Sequence, residues 1–474
     1  MPRRTAILLV GRVASAGTTL LVLAVVGQLR GDAELGAVAV GLAIGAIAAA
    51  LSDLGAISLL VREAAQRPDR AGPLLLGLAV FRLPVLILAL LAAWGVAVAT
   101  DARLAGTISL VAAGIVLQSF AELPRAVFMA RQRFTISAAH FVIENLAWLG
   151  VVAGLLVLRP DLSMTIVFAA GLAVVTLSIL AGFALVVWVG RIALSLPTAG
   201  ELRALATHAP PFATFAVLGV AYTRVDTVII GLVLPGGLAA AGSYFAATRL
   251  IAAFEYVPEA ASRGAFPEIA RRFIQAPAEV APLLGGVARG LLLVGGAVPA
   301  AMLVSGDALL QHLFGTPAAS AWVLGPLSIV VPIRYLGHLY GIALTSANSQ
   351  GRRVAASSIA LIVVLAVNVL GIPPFGLAAP VVSALIAATL VGSMYAIFVR
   401  RLFGSIGLNP RLLLAVALAS GGSAVIGFVV RVAAPGPFDV VLGALAAIAC
   451  YVGLIVIGPG RPMVVGLLGR AVRS

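Results

Sequence analysis

Six arginines lie inside strongly apolar runs of this sequence: Arg12, Arg82, Arg224, Arg249, Arg289 and Arg334. Carboxylates intrude on such runs as well, among them Asp53, Glu122, Glu144, Asp226, Glu255 and Glu259. A guanidinium stays charged when desolvated and grips phosphate oxygens through a planar two-pronged fork. A desolvated carboxylate either pairs with such a cation or takes up H⁺ or Na⁺. An ionised residue at membrane depth is costly, so it faces protein or water and marks a functional site by default. Spacing limits the pairings. Arg224 and Asp226 are two residues apart, about 200° around a helix, and so are not each other's partner. Arg334 and His338 share a face by their i,i+4 spacing. Arg249 sits about eleven residues into its apolar run, near mid-depth.

Other chemistries have little to work with. The four histidines, His140, His208, His312 and His338, show no metal-ligand spacing. Cys450 is the only cysteine, so neither a disulfide nor a thiolate metal site can form within the chain. There is no phosphate-binding loop, no nucleophile elbow and no zinc-protease motif. No catalytic residue, metal or cofactor is expected, leaving H⁺ or Na⁺ as the candidate coupling ion. Asp226, Glu255 and Glu144 are its candidate sites, with arginine pairing as the competing role for each.

The elements that must hold these residues are membrane helices. Of the 474 residues, 62% are hydrophobic and 10% are charged, against about 25% charged in soluble domains. A spanning helix needs roughly 20 apolar residues. Fourteen runs qualify, near 6–29, 35–60, 73–99, 104–124, 136–158, 165–189, 208–234, 238–262, 281–304, 322–345, 354–371, 376–399, 411–430 and 438–459. The first is too long for a signal-peptide core and is expected to remain as an uncleaved span. Pro373 and Pro374 read as a stiff turn after the eleventh span. No connection exceeds about twenty residues, which leaves no room for a soluble domain. The fold class is therefore an all-α polytopic membrane protein of about 14 transmembrane helices.

The net charge of +14 does not signify nucleic-acid binding, because the arginines are scattered between apolar runs and form no basic face. All 31 basic residues are arginine; with abundant Ala, Gly, Val and Leu, this suggests a GC-rich bacterial genome. Alternate connections, beginning with the N-terminus, carry 21 arginines, and the opposite connections carry only Arg30, Arg103, Arg159 and Arg431. Positive residues accumulate on the cytoplasmic side, so both termini are expected there, with an even number of spans. A weak repeat relates the second and eighth spans: residues 34–56 align with 240–262, Gly36 meeting Gly242 and Asp53 meeting Glu259. This suggests two six-helix lobes, 1–190 and 208–402, joined by a cytoplasmic linker at 191–207, with two further helices and a tail in 403–474. Internal symmetry of this kind is common in transporters, whose substrate site lies between the halves.

Several stretches carry a family resemblance: S-D-L-G-A-I-S-L-L-V-R-E (52–63), R-V-D-T-V-I-I-G (224–231), G-S-Y-F-A-A-T-R-L (242–250) leading to F-P-E-I-A (266–270), L-F-G (313–315) and S-A-N-S-Q-G-R (346–352). In this order the chain resembles the polysaccharide (O-antigen-type) flippases of the multidrug/oligosaccharidyl-lipid/polysaccharide exporter superfamily. The resemblance implies two six-helix lobes around a V-shaped cavity. It also implies transfer of an undecaprenyl-pyrophosphate-linked glycan across the bacterial inner (plasma) membrane, with a glycan polymerase or glycosyltransferases of the same pathway as partners. Arg249 matches the arginine in the Y-x-x-A-x-R-L stretch of the related lipid II flippases, where it lines a cationic cavity, and Arg12 resembles a first-span arginine of that group. On this reading Arg12, Arg82, Arg224, Arg249 and Arg334, with His338, hold the pyrophosphate while the polyprenyl tail stays in lipid.

Three other functions compete: a cation-coupled multidrug or small-solute exporter on the same fold, a membrane glycan polymerase or ligase, and a non-transporting scaffold. A cavity for cationic drugs would be poor in arginine. A polymerase or ligase would be expected to carry its acid/base residues or arginines on a sizeable outer loop, and the outer connections here are short.

Overall fold

Backbone N–H and C=O groups inside a bilayer have no water to bond, so each apolar run must close its own hydrogen bonds as a helix. The computed structural model describes residues 17–53, 56–67, 70–196, 198, 200, 217–347, 349–406, 408–436 and 438–458. Among these residues the α-helices are α1 Gly17–Arg30, α2 Asp32–Asp53, α3 Ala56–Gln66, α4 Ala71–Thr100, α5 Ala105–Ala130, α6 Phe134–Leu158, α7 Met164–Trp188, α8 Val225–Val233, α9 Gly237–Phe254, α10 Tyr256–Gln275, α11 Val280–Phe314, α12 Ala318–Ala321, α13 Leu324–Leu327, α14 Val330–Ser346, α15 Gln350–Phe375, α16 Ala378–Phe403, α17 Pro410–Ala433 and α18 Asp439–Ile457.

Eleven described helices are long and apolar enough to cross a membrane, and α12–α13 with α14 make a twelfth span bent by 42°. The expected first span is represented by α1 and the seventh by residues 217–234 with α8, while 6–16 and 208–216 lie outside the described residues. The result agrees with about fourteen spans.

Several boundaries differ from the sequence expectation. The fourth span does not stop before Arg125: α5 continues to Ala130 through Pro124. The eleventh does not end before Pro373-Pro374, since α15 runs through both prolines to Phe375. They lie in its last turn, where little helix remains to be interrupted, and Gly376 ends the helix at φ +55°, a conformation glycine adopts without strain. The seventh span is not one regular helix. Residues 217–221 are helical, 222–224 form a turn, and α8 then begins at Val225, so the helical-wheel argument for Arg224 and Asp226 does not apply across that turn.

Contacts divide the chain into two compact units, Met1–Ala246 with Leu313–Gly315 and Ala247–His312 with Thr316–Ser474. The expected linker at 191–207 falls partly outside the described residues. In the first unit, Leu60, Leu75, Leu123, Phe128 and Val186 form a core shared by α3, α4, α5 and α7. Here α2 and α9 cross backbone against backbone. A Cβ at Gly36 would run into the Leu238 carbonyl, and one at Gly242 would meet Gly36 N at 2.9 Å and Asp32 O at 3.2 Å.

In the second unit the two C-terminal helices pack on each other and on α11. The Ser420 hydroxyl donates to Gly296 O at 2.8 Å and Tyr451 Oη to Leu293 O at 2.7 Å. Arg431 donates to Val304 O at 2.5 Å and Asp307 at 3.0 Å. Each supplies a hydrogen bond where hydrocarbon would leave a hydroxyl or cation costly.

Candidate functional site

The eighth span is interrupted where its sequence reads A-A-F-E-Y-V-P (252–258). Helix α9 ends at Phe254, Glu255 stands at the break, and α10 starts at Tyr256. Pro258 lacks the N–H that continuous helix would need at that point, which favours a break two to three residues earlier. Helix α14 secures this break from the side. Tyr335 Oη donates to Phe254 O at 2.8 Å, satisfying a carbonyl at the end of α9. One residue away, Arg334 Nη1 donates to Glu255 Oε1 at 2.7 Å, and His338 Nε2 lies 3.9 Å from Glu255 Oε2. The side chains of Arg334 and Glu255 are each 29% exposed and that of His338 40%. This trio is therefore only partly buried. Arg249 lies on α9 six residues before Glu255 and is half-buried. Sequence reasoning anticipated the shared face of Arg334 and His338. It missed Tyr335, whose role depends on a break that periodicity does not reveal.

The turn in the seventh span places Arg224 at the N-cap of α8, with its guanidinium carbon 5.5 Å from the centre of the Phe245 ring. Asp226 is buried in the first turn of α8, where the helix N-terminus favours negative charge. It accepts from Tyr244 Oη at 2.6 Å and from Thr227 N at 2.7 Å.

Two further intramembrane arginines of the first unit, Arg82 and Arg125, are sealed. Arg82 on α4 is 0% exposed. It donates to Ser52 O at 2.8 Å, Ser119 Oγ at 2.6 Å and Ser119 O at 3.2 Å, with Asp53 at 3.5 Å, and so ties α2 to α5. Arg125, assigned from sequence to a cytoplasmic connection, is 2% exposed and joins α5, α6 and α7. It donates through Nη1 to Glu122 at 2.5 Å, through Nη2 to Glu144 at 2.5 Å and through Nε to His140 Nδ1 at 2.9 Å. Accepting at Nδ1 leaves the His140 proton on Nε2, which faces Ser178 O at 3.0 Å. Glu144 also accepts from Gln118 at 2.9 Å and from the Ser178 hydroxyl. The signal for Arg125 was present in the sequence: Glu122 precedes it by three residues, a pairing expected only if the helix runs on. In the second unit, Arg289 folds back to Gly285 O at 3.1 Å. Arg12 lies outside the described residues.

Each unit also holds a cavity. In the second unit a groove of about 720 Å³ runs between α11, α14, α16 and α17. It is walled by Leu303, Ile333, Leu336, Ile397 and Val416, with Arg400 and Ser405 among its polar lining residues. In the first unit a cavity of about 60 Å³ is lined by Thr18, Gln118, Asn145 and Trp148, and Gln118 connects its wall to Glu144. Among the described residues no cluster of three or more His, Cys, Asp or Glu side chains could hold a metal ion.

A protein-family model described as "Polysaccharide biosynthesis protein" matches residues 2–272. Comparison with curated proteins finds no match. Solved structures share the fold. The chain is similar to the lipid II flippase MurJ in an inward closed conformation, with a TM-score of 0.71, 13% identity, and coverage of 94% of this chain and 97% of that one. It is similar to a multidrug resistance MATE family transporter of the MOP superfamily in an inward-facing conformation, with a TM-score of 0.60, 12% identity and coverage of 85% and 95%. It is also similar to a MOP superfamily transporter from Pyrococcus furiosus described as having a binding pocket of reverse polarity, with a TM-score of 0.52, 13% identity and coverage of 86% and 97%. At these identities the likeness is one of fold.

Proposed function

The chain belongs to the polysaccharide biosynthesis protein family, and from that premise we propose that it is a flippase carrying a polyprenyl-pyrophosphate-linked oligosaccharide from the cytoplasmic to the outer leaflet of a bacterial inner membrane by alternating access. The observation that carries this reading is the partly exposed cluster of Arg334, His338 and Glu255 at a local turn in the eighth span, in a fold shared with MOP-superfamily transporters. Ionisable residues at membrane depth mark substrate and ion sites by default. A pyrophosphate cannot cross hydrocarbon unaided, and guanidinium groups replace its hydration with bidentate bonds. The headgroup contacts in this proposal are Arg249, Arg334 and His338, all in the second unit. Arg82, fully buried in this conformation, supports the seat of α2 and α4. The aliphatic groove, with Arg400 among its lining residues, suits an isoprenoid chain whose polar end is anionic.

The arginine asymmetry of the connections supports a cytoplasmic position for both termini in this proposal. Undecaprenyl pyrophosphate is the lipid expected in a bacterial membrane, and a glycan polymerase or glycosyltransferases would act before and after it. If an ion gradient drives the cycle, Asp226, Glu255 and Glu144 are the candidate carboxylates to bind H⁺ or Na⁺, and a pH or Na⁺ dependence of transport lost in one of their neutral variants would identify which.

The test is flipping of a fluorescent polyprenyl-pyrophosphate oligosaccharide in proteoliposomes, wild type beside Arg249→Ala and Arg249→Lys. The expected result is transport by wild type, loss in Arg249→Ala with folding intact, and weak activity in Arg249→Lys. The likeness to multidrug transporters favours a second reading, export of cationic solutes. Extrusion of cationic dyes with no movement of lipid-linked sugar would establish it and overturn the first.

A further inference from the structure

The geometry points to Glu255 as a built-in competitor for the anion site of Arg334 and His338: its carboxylate occupies the guanidinium while the site is empty, and a phosphate group of the cargo displaces it. This deepens the flippase reading and rests on it.

Exposure separates this ion pair from the sealed one in the first unit. Arg125 and Glu144 are 2% and 1% exposed in their side chains. Arg334 and Glu255 are both 29% exposed. A sealed pair cannot exchange partners without opening the core. An open pair can, because an incoming anion reaches the guanidinium before the carboxylate has left. A phosphate brings more charge and more acceptor oxygens than a carboxylate, and it matches the fork of the guanidinium. His338 is positioned to assist, since its Nε2 is 3.9 Å from Glu255 Oε2, so an anion taking the carboxylate's place falls within its reach.

Glu255 is also placed to move. It is the break residue between α9 and α10, so releasing its side chain leaves the helical ladders on either side intact. The bond from Tyr335 to Phe254 O does not involve the carboxylate, so it holds α14 against this turn whether or not Glu255 is paired with Arg334. The competitor lowers affinity for the headgroup and expels it after transfer. This is the opposite of a coupling carboxylate, whose loss leaves cargo affinity unimproved.

The experiment measures binding of farnesyl pyrophosphate to the purified full-length protein by calorimetry, for wild type, Glu255→Gln, Glu255→Asp, Arg334→Ala and the double variant Glu255→Gln/Arg334→Ala. Glu255→Gln is expected to tighten binding about tenfold or more. Glu255→Asp, one methylene too short for Arg334, is expected to tighten it too, which keeps the test decisive should the glutamine variant fold poorly. Arg334→Ala and the double variant are expected to bind equally weakly, since a competitor has no effect once its site is gone. Binding that Arg334→Ala abolishes but neither Glu255 variant tightens would overturn the competitor and leave the flippase reading standing. Wild-type binding that is absent, or indifferent to Arg334→Ala, would overturn the anion site and the competitor together.

Discussion

Replacing Arg125 with leucine is the sharpest test of how the first unit is held together. Arg125 has its nitrogens on Glu122, Glu144 and His140 at 2.5, 2.5 and 2.9 Å. Glu144 is 2% exposed, so the substitution strands a carboxylate in the core with only Gln118 and Ser178 as donors. Breaking one side of a buried ion pair costs about 3–5 kcal/mol. For a unit of some 250 residues each kcal/mol moves the melting temperature by roughly 2–4 °C. Arg125→Leu is therefore expected to melt about 6–20 °C below wild type, measured by thermal unfolding in detergent with intrinsic fluorescence. Glu144→Leu should be milder, because Arg125 keeps Glu122 and His140. Arg125→Leu/Glu144→Leu should recover at least half of the loss, since an apolar pair of similar volume replaces a buried salt bridge at little cost. A single Arg125→Leu variant melting within 2 °C of wild type, or a double variant no better than the single, would refute the argument that this cluster is a charge-compensated core element.

Three further outcomes follow from geometry. Gly36→Ala should destabilise the chain and lower its yield, because its Cβ meets the Leu238 backbone, whereas Gly286→Ala, with open space around it, should be neutral or stabilising by up to about 1 kcal/mol; paired melts decide. Hydrogen bonds from Arg271 and Arg272 hold the Glu268 carboxyl down to about 2, below its usual value near 4.3. A depressed folded-state value means the stabilisation is fully present above the unfolded value and is lost as pH falls towards 2, so amide exchange in the C-terminal half of α10 should rise over that window, and Glu268→Gln should remove the pH dependence. Arg431→Ala should loosen α17 from α11 by removing the bonds to Val304 O and Asp307, read as faster exchange near residues 300–307 and 427–433 with the rest of the chain unchanged.

The spans were legible because hydrophobic length is a one-dimensional signal, and the match of eleven long helices and one bent span to the expected runs reflects that. The pairing of Arg334 with His338 on one face was legible for the same reason, since α14 is regular there. What was hidden depends on neighbours that sequence does not name. Arg125 looked like a connection residue because it follows the apolar run 104–124 and groups with Arg131 and Arg133. Only α6 and α7, bringing Glu144, His140 and Ser178 to it, make it a core residue. Arg131 and Arg133 were read as topology signals, and the structure adds that they donate to Gly190 O and Val189 O at the end of α7. The interruptions at 222–224 and at Glu255 were read as intruding charges and not as turns, because neither Arg224 nor Pro258 by itself ends a helix, and the turn at Glu255 is held by a partner from another helix, Tyr335.

The crossing of α2 and α9 has a consequence for symmetry. The repeat offset that takes Gly36 to Gly242 also takes Asp32 to Leu238. The approach of Gly36 to Leu238 and that of Gly242 to Asp32 are therefore one contact made twice, each helix offering the other the same surface, as two subunits do across a dimer axis. The touching atoms at this joint are main chain, so its closeness is set by the two glycines and not by the choice of side-chain rotamers. The likeness is not exact: a methyl group at Gly36 would run into Leu238 O, whereas one at Gly242 would first meet Gly36 N at 2.9 Å, so the first would wedge the joint further open than the second.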